Sequence, residues 1–196
     1  MANLIHSSKS GHDWTINDLM AYNISIVQQN TATFFSQAAL PLPAQHPDLN
    51  RLTVDKMVDN NSYQVVRYTD LTMDPVPGEE SAVDDFTMQL LHMMGYASRA
   101  LGRDLCSRKD IPLFIYGEVM AGIMMTGTSP TFLKILVTLE LIKAIQRGEY
   151  PATLTIVAMH HPNVPRPVRR HSEGMCPVDN RHCILSCFEA FRQFVN

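Results

Sequence analysis

Four basic side chains fall within six positions of a proline-rich stretch near the end of the chain: Arg166, Arg169, Arg170 and His171. Guanidinium groups present forked donors that match the oxygens of a phosphate or carboxylate group. The spacing therefore predicts an anion-binding loop. The alternative is a solvated loop whose arginines pair with the acidic first half, since residues 1–100 carry eleven Asp and Glu against five Lys and Arg.

The histidine pair His160–His161 is a second candidate, with His171 and His182 further along the chain. Imidazole is a common metal ligand in proteins. Neighbouring residues of a strand point to opposite faces, however, so the two side chains cannot easily share one ion. The pattern favours ordinary histidines, and we predict no metal at this place.

Three of the four cysteines lie near the C-terminus, at Cys176, Cys183 and Cys187. Zinc sites usually contain a C-x₂₋₄-C pair, and only the last two cysteines approach that spacing. A chain of this length and apolar content does not need a disulfide framework. Reduced, buried thiols are therefore the favoured interpretation.

A run of small residues at 127–131 predicts a tight turn, and with the basic loop it could form a ligand pocket. The candidate pocket residues are Met124, Met125, Thr128, Ser129 and His160. The run lacks the pattern of a phosphate-binding P-loop, and the chain contains no dinucleotide-binding glycine motif and no nucleophile elbow. A pocket here would suit a small anionic or hydrophobic metabolite.

Hydrophobic periodicity and turn residues predict helices and strands that alternate along the chain. The clearest helix follows Pro75–Gly78, with one apolar stripe formed by Val83, Phe86, Leu90, Met94, Ala97 and Leu101. Other helices are predicted at a Thr15–Asp18 capping box, over 52–57 and 139–147, and at the C-terminus with Ile184, Phe188, Phe191 and Val195 on one face. Strands are predicted at 24–27, 111–116, 122–125, 131–137 and 154–159. The fold class is therefore α/β or α+β, a mixed sheet flanked by helices.

The length of 196 residues and the hydrophobic fraction of 45% predict one globular domain over residues 14–196, after a flexible N-terminus at 1–13. No apolar run approaches the roughly 18 residues of a membrane helix, and the N-terminus lacks the features of a secretory signal. We therefore expect an intracellular protein, cytoplasmic or nuclear. The net charge of −3 and the acidic first half make nucleic acid a doubtful partner.

Several longer sequence motifs resemble those of a known family. A family of uncharacterised proteins from mushroom-forming fungi has similar motifs to those at residues 80–86, 108–113, 127–132, 165–175 and 179–191. Longer members of that family resemble PD-(D/E)XK restriction-endonuclease-like proteins. The resemblance implies a helix with an acidic residue, a strand with an Asp and a strand with an acidic-x-Lys pair. Such carboxylates would hold Mg²⁺ against a phosphodiester.

The chain departs from that pattern at its centre. The residues two positions before the five lysines are Ser7, Val54, Ser107, Phe132 and Leu141, so no acidic-x-Lys pair exists. Glu80 best matches the helix carboxylate, and Glu118 is a weak candidate for a second ligand. The resemblance therefore implies a shortened restriction-endonuclease-like core with a degenerate active site.

Three functions follow as hypotheses. The first is a catalytically degenerate nuclease-fold protein that binds a protein partner, a family paralogue or a second copy of itself, because lost strands expose sheet edges. The second is an enzyme or binding protein for a small anionic or hydrophobic metabolite, with a pocket near residues 123–131 and 160–171. The third is a residual nuclease with Mg²⁺ on Glu80 and Glu118, the one case in which a cofactor is expected.

Overall fold

The computed structural model describes residues 13–42, 47–51, 53, 56–73, 79–96 and 119–195. Its helices are α1 (Ile16–Ala21), α2 (Thr31–Phe35), α3 (Pro47–Arg51), α4 (Asn60–Met73), α5 (Glu79–Met93), α6 (Leu139–Gln146), α7 (Arg170–Glu173) and α8 (Val178–Phe191). Its strands are β1 (Ile24–Gln28), β2 (Val119–Thr126), β3 (Ser129–Leu136) and β4 (Thr155–His160). None of the described helices is long and apolar enough to cross a membrane.

The described strands form one sheet in the order β1-β4-β3-β2. β1 pairs with β4 in parallel, whereas β4–β3 and β3–β2 are antiparallel. The sheet is therefore mixed, and helices flank it. The predicted fold class is confirmed.

The predicted hairpin is confirmed as β2 and β3. The two-residue connection Gly127-Thr128 closes it, and Thr126 lies opposite Ser129 in the register. Gly127 has a φ of +55°, which glycine adopts without the steric cost that other residues incur. The small-residue run therefore forms the tight turn that its composition predicts.

The core lies on one face of the sheet, against α2 and α8. Phe132 of β3 and His160 of β4 are opposite one another in the register, and both side chains are buried. The Phe132 ring lies 5.2 Å from Phe188 and 5.0 Å from Phe191, both on α8. Complete burial of one such aromatic side chain contributes roughly 1.5–3 kcal/mol to stability.

Local signals place several helices as predicted. At α1, the Thr15 backbone N–H donates to the Asp18 carboxylate at 2.6 Å, as a capping box requires. Phe86 and Leu90 of α5, and Met94 just after it, are buried along the predicted stripe. α6 ends before Gly148, which has a φ of +66°. Ala97, Leu101 and the predicted strand at 111–116 lie outside the described residues, as does nearly all of the predicted N-terminal segment.

The helix predicted over 52–57 is wrong. Thr53 and Met57 are not helical, and the helix at this place is α3, which begins at Pro47. Proline is favoured in a first helical turn because its missing N–H has no partner there anyway. The apolar face predicted for the C-terminal helix is one residue too long. α8 ends at Phe191, and Val195 is exposed.

Sequence periodicity does not reveal α4, because part of its buried face is polar. Val65 and Val66 are buried beside Thr69 and Thr72. The Thr69 hydroxyl donates to the carbonyl of Val65, and the Thr72 hydroxyl donates to the carbonyl of Ala82, both at 3.0 Å. Hydroxyls satisfied by backbone carbonyls can be buried without the usual penalty.

The chain between α7 and α8 is held tightly against the β2–β3 turn. The backbone N–H of Met175 donates to the buried Thr128 hydroxyl at 2.9 Å, and the Asn180 amide donates to the carbonyl of Gly174 at 3.1 Å. The Arg181 guanidinium donates to the carbonyls of Met175, Leu49 and Cys176. These bonds connect α3, α8 and the hairpin at one point.

Gly174→Ala is expected to destabilise the protein by about 2 kcal/mol or more. A Cβ at Gly174 would lie 2.0 Å from Thr128 Oγ1, and the φ of +47° is unfavourable for any residue with a Cβ. Urea unfolding followed by circular dichroism measures the effect. Gly122→Ala is the matched control, because a Cβ there meets nothing within 4 Å. Equal stability of the two variants would contradict this account.

Candidate functional site

A cleft of about 570 Å³ opens between α6 and one end of the sheet. Its floor is apolar, with Leu136 at the end of β3, Ile156 at the start of β4, and Leu154 and Tyr150 between α6 and β4. Leu136, Leu154 and Ile156 are 57%, 54% and 50% exposed. A concave, mostly apolar surface of this kind is the default position of a ligand or partner site.

The register of the sheet explains why apolar side chains are exposed here. Alternate residues of a strand share a face, so Leu136 continues the face of Phe132, and Ile156 continues the face of Ala158. Phe132 and Ala158 are buried under the helices of the core, whereas Leu136 and Ile156 are not covered. The cleft is therefore the uncovered end of the core face.

α6 forms the opposite wall. The Thr138 hydroxyl caps its N-terminus by accepting from the Leu141 N–H at 3.2 Å, and Leu141 and Ile142 are buried. Capping by Thr is worth about 1 kcal/mol to a helix end. The cap and the buried side chains set the position of the wall.

The charges at the edge of the cleft balance. The lining contains two acidic residues, Glu140 and Glu149, and two basic residues, Lys143 and Arg147. The Arg147 guanidinium lies 3.9 Å from the Glu149 carboxylate, and both side chains are largely open to water. Exposed pairs of this kind contribute about 1 kcal/mol at most. The balanced charges favour a neutral, apolar occupant over a charged one.

An aromatic series leads from the cleft to the chain's single tryptophan. The rings of Tyr150 and Tyr22 lie 5.1 Å apart, and those of Tyr22 and Trp14 also lie 5.1 Å apart. Tyr150 lines the cleft. Trp14 fluorescence is therefore a local probe of events at this end of the molecule.

The predicted anion-binding loop divides into two parts. The guanidiniums of Arg166 and Arg169 both bind Glu173, at 2.8 Å and 3.4 Å, and Arg166 also lies 3.9 Å from Asp179. Their acidic partners thus come from the same region of the chain, not from its first half. Arg170 instead donates from Nε to the Nε2 of His171 at 3.0 Å.

The predicted pocket residues do not line the cleft, which lies at the other end of the sheet. Thr128, Ser129 and His160 are buried, and Met125 packs against the core. Met124 is half-exposed, and because its register partner is Thr131 it lies on the face opposite Phe132. The cleft residues were missed because apolar residues at strand ends resemble core residues in a sequence. They differ from core residues in that no helix of the described part of the chain covers them.

The structure brings a cysteine and a histidine together inside the core. His160 Nδ1 lies 3.0 Å from the carbonyl of Gln29, which can only accept, so Nδ1 carries the proton. Nε2 then accepts from the Cys187 thiol at 3.9 Å. Burial raises the pKa of Cys187 to about 12, chiefly by desolvation, and lowers the pKa of His160 for the same reason. Both groups are therefore neutral, and the pair lacks the thiolate that nucleophilic catalysis requires.

Lys134 is a second reactive group that is held in the structure. Its ammonium donates to the carbonyl of Phe34 and lies 4.7 Å and 4.8 Å from the ring centroids of Phe34 and Phe194. Desolvation lowers the pKa of this amine. These contacts connect β3 with α2 and with Phe194 near the C-terminus.

The residues implied by the nuclease resemblance are not placed by the structure. Glu118 and the side chain of Glu80 lie outside the described part, which shows only that the backbone of Glu80 is in the first turn of α5. Within the described residues, no group of three or more His, Cys, Asp or Glu could hold a metal ion. Cys176, Cys183 and Cys187 are free thiols, but the predicted burial is wrong for Cys176, which is exposed, and Cys183 is only partly buried. The Mg²⁺ site thus stays a prediction.

Comparison with protein-family models, with curated proteins and with solved structures finds no match to this chain.

The stability of the protein is expected to fall in acid because of its two neighbouring histidines. Desolvation lowers the pKa of both His160 and His161 in the folded state. The unfolded chain then binds more protons than the folded chain. The free energy of unfolding is therefore highest above about pH 6.5 and decreases as the pH falls through and below that value. Urea unfolding at a series of pH values measures this dependence.

His160→Asn separates the contribution of the buried ring. The Asn amide can still donate to the carbonyl of Gln29 but does not titrate, so the pH dependence should become shallower. The double variant His160→Asn/His161→Asn removes both rings and should make the dependence shallower still. An unchanged slope in His160→Asn would refute the assignment.

Proposed function

We propose that this protein acts by binding a partner protein, and that an apolar segment of the partner occupies the cleft between α6 and the sheet. The partner is a second copy of this chain or a related chain. The observation that carries the proposal is the apolar floor of the cleft, where three large aliphatic side chains are each at least half exposed. An inserted Leu or Phe side chain would contribute roughly 1.5–3 kcal/mol by burial.

Further exposed apolar residues at the β1 edge of the described sheet support association as well. β1 is the last strand of the described sheet, and Ile26 and Val27 on it are exposed. Ile16 and Met20 of α1, which packs beside β1, are exposed as well. Natural proteins usually pair or cover a strand edge with such side chains.

The reactive groups described above favour binding over catalysis. Cys187 and His160 are neutral and buried, and Lys134 is bonded to a carbonyl between two rings. Arg166 and Arg169 are paired with Glu173. These five side chains are therefore engaged in holding the fold together. The sequence resemblance implies a degenerate nuclease-fold protein, and a role in binding agrees with that interpretation. The degenerate nuclease fold is itself part of the proposal.

A second candidate occupant is a small hydrophobic metabolite. The cleft volume lies within the range of small-molecule sites, about 300–1,000 Å³. The low net charge of the lining is compatible with such a ligand. The two occupants differ in one observable, since a metabolite leaves the protein monomeric and a protein partner does not.

Ile156→Lys is expected to weaken self-association at least about tenfold, because it places an ammonium in the apolar floor. Size-exclusion chromatography with light scattering over a range of micromolar concentrations measures the change. Val168→Lys is the matched control, because Val168 is 99% exposed and remote from the cleft. Both variants should retain the circular dichroism spectrum of the parent chain.

The occupancy of the cleft is read separately with the uncharged apolar dye Prodan, excited by energy transfer from Trp14. The parent chain should bind the dye, and Ile156→Lys should bind it more weakly. A parent chain that is monomeric throughout but binds the dye would support a small hydrophobic ligand. A monomer that does not bind the dye would refute both a second copy of the chain and a small hydrophobic ligand in the cleft.

A further inference from the structure

The outer face of the sheet, on the side opposite the core, is apolar across all four described strands. Alternate residues of a strand share a face, so the neighbours of Phe132 and His160 along β3 and β4 point away from the core. The register brings large apolar side chains together on that side. They include Ile26 of β1, Val157 and Met159 of β4, Leu133 of β3, and Met120 and Met124 of β2.

None of these six side chains is buried. Met124, Ile26 and Met120 are 53%, 50% and 42% exposed, whereas Phe132 on the core face is fully buried. The aromatic side chains of α2 and α8 contact the core face, through Phe132 and His160. A sheet with one face in water normally alternates apolar and polar residues, whereas strands covered on both faces are apolar throughout. β2 and β4 follow the second pattern, which indicates that something covers the outer face.

The outer face carries no charge. Its positions on the described strands hold no Asp, Glu, Lys or Arg. At the end nearest the hairpin turn, Gln28, Thr126 and His161 form a polar rim. An apolar centre with a polar rim is the usual arrangement of a protein–protein interface. A charged occupant would find no opposite charge on these strands.

The size of the outer face limits what can cover it. Four strands about 4.8 Å apart, with up to eight residues at about 3.4 Å each, give a face of roughly 500 Å². One helix, with a diameter of about 10 Å, covers only part of that width. The face is also too open to enclose a small molecule, whose binding sites are concave. A second sheet, packed at a distance of about 10 Å, covers it completely.

A second copy of this chain supplies such a sheet. Its outer face has the same dimensions, the same apolar composition and the same absence of charge, so neither copy buries an unpaired ion. Two faces together bury roughly 1,000 Å², which is near the lower limit of specific interfaces. The dimer should therefore be weak, and its population should depend on concentration.

We propose that two copies of this chain pair through their outer faces, sheet against sheet, in a two-fold symmetric dimer. A two-fold axis brings the same patch of both copies together, so a neutral apolar face meets its own match. Met120 and Met124 are flexible side chains that adapt to a facing surface. The cleft belongs to the core side of the sheet, so this pairing does not depend on what the cleft holds.

The test begins from Ile156→Lys, in which the cleft is blocked and any remaining association comes from another surface. Light scattering over micromolar concentrations should still show a monomer–dimer equilibrium. Adding Met124→Lys should weaken the dimer at least about tenfold, because an ammonium would be buried in the apolar face. Adding Leu71→Lys instead is the matched control, since Leu71 is 54% exposed on α4, which packs with α3 and α5. All variants should retain the circular dichroism spectrum of the parent chain.

Oxidation of methionine by hydrogen peroxide shows whether the outer face is covered in the parent chain. Met120 and Met124 should be oxidised rapidly in the monomer and several times more slowly in the dimer, because the peroxide must reach the sulfur. Mass spectrometry of the peptides that contain them, at increasing chain concentration, measures the rates. Added N-acetylmethionine is the internal reference and should react at a constant rate.

The outcomes separate this dimer from the partner proposed for the cleft. A monomeric Ile156→Lys would overturn pairing through the outer face, and beside a dimeric parent it would leave the cleft as the contact. Equal association after Met124→Lys and Leu71→Lys would overturn the pairing too. Slow oxidation of Met120 and Met124 at every concentration would assign the cover to a segment of the same chain. Rapid oxidation at every concentration would show that the face stays open, and either result contradicts the dimer.

Discussion

Phe132 and His160 lie opposite each other on β3 and β4, and the rings of α2 and α8 close over them. His160 is the polar member of this cluster, and it can be buried only because both of its nitrogens are engaged. Its bond to Gln29 connects the residue after β1 with the end of β4. Phe132 and His160 therefore hold β3 and β4 in register and position α8. The side chains of α8 make the other contacts of the core.

The two ends of the sheet differ because the helices cover the core face unevenly. At the end where β4 starts, the face continues beyond the core as Leu136 and Ile156, and α6 forms one wall of an apolar cleft. At the end where β4 finishes, His161 follows the strand and lies 3.2 Å from the Thr131 hydroxyl, and the proline-rich segment leads into α7.

Sequence patterns predict the elements here better than they predict the sites. The hairpin, α1, α5 and α6 follow from turn residues, caps and apolar stripes, because those signals act within a few residues. The helix predicted at 52–57 failed, and α4 was missed because its buried face includes Thr69 and Thr72, whose hydroxyls find partners only after folding. The arginines predict an anion-binding loop, yet the pairing of Arg166 and Arg169 with Glu173 depends on the path of the chain around α7. His160, which the sequence suggested as a pocket residue, is buried because strand alternation turns it toward the core and its neighbour away from it.

The parallel pairing of β1 with β4 has a consequence for how the chain folds. Ile24 and Thr155 are register partners although 131 residues separate them along the chain. The hairpin can form from neighbouring residues in microseconds, but β1 can join the sheet only after the ends of a very long loop have met. A ribosome adding residues from the N-terminus makes β1 long before its partner strand. Until β4 emerges, β1 lacks its native neighbour, and an apolar strand exposed in this way is prone to aggregation.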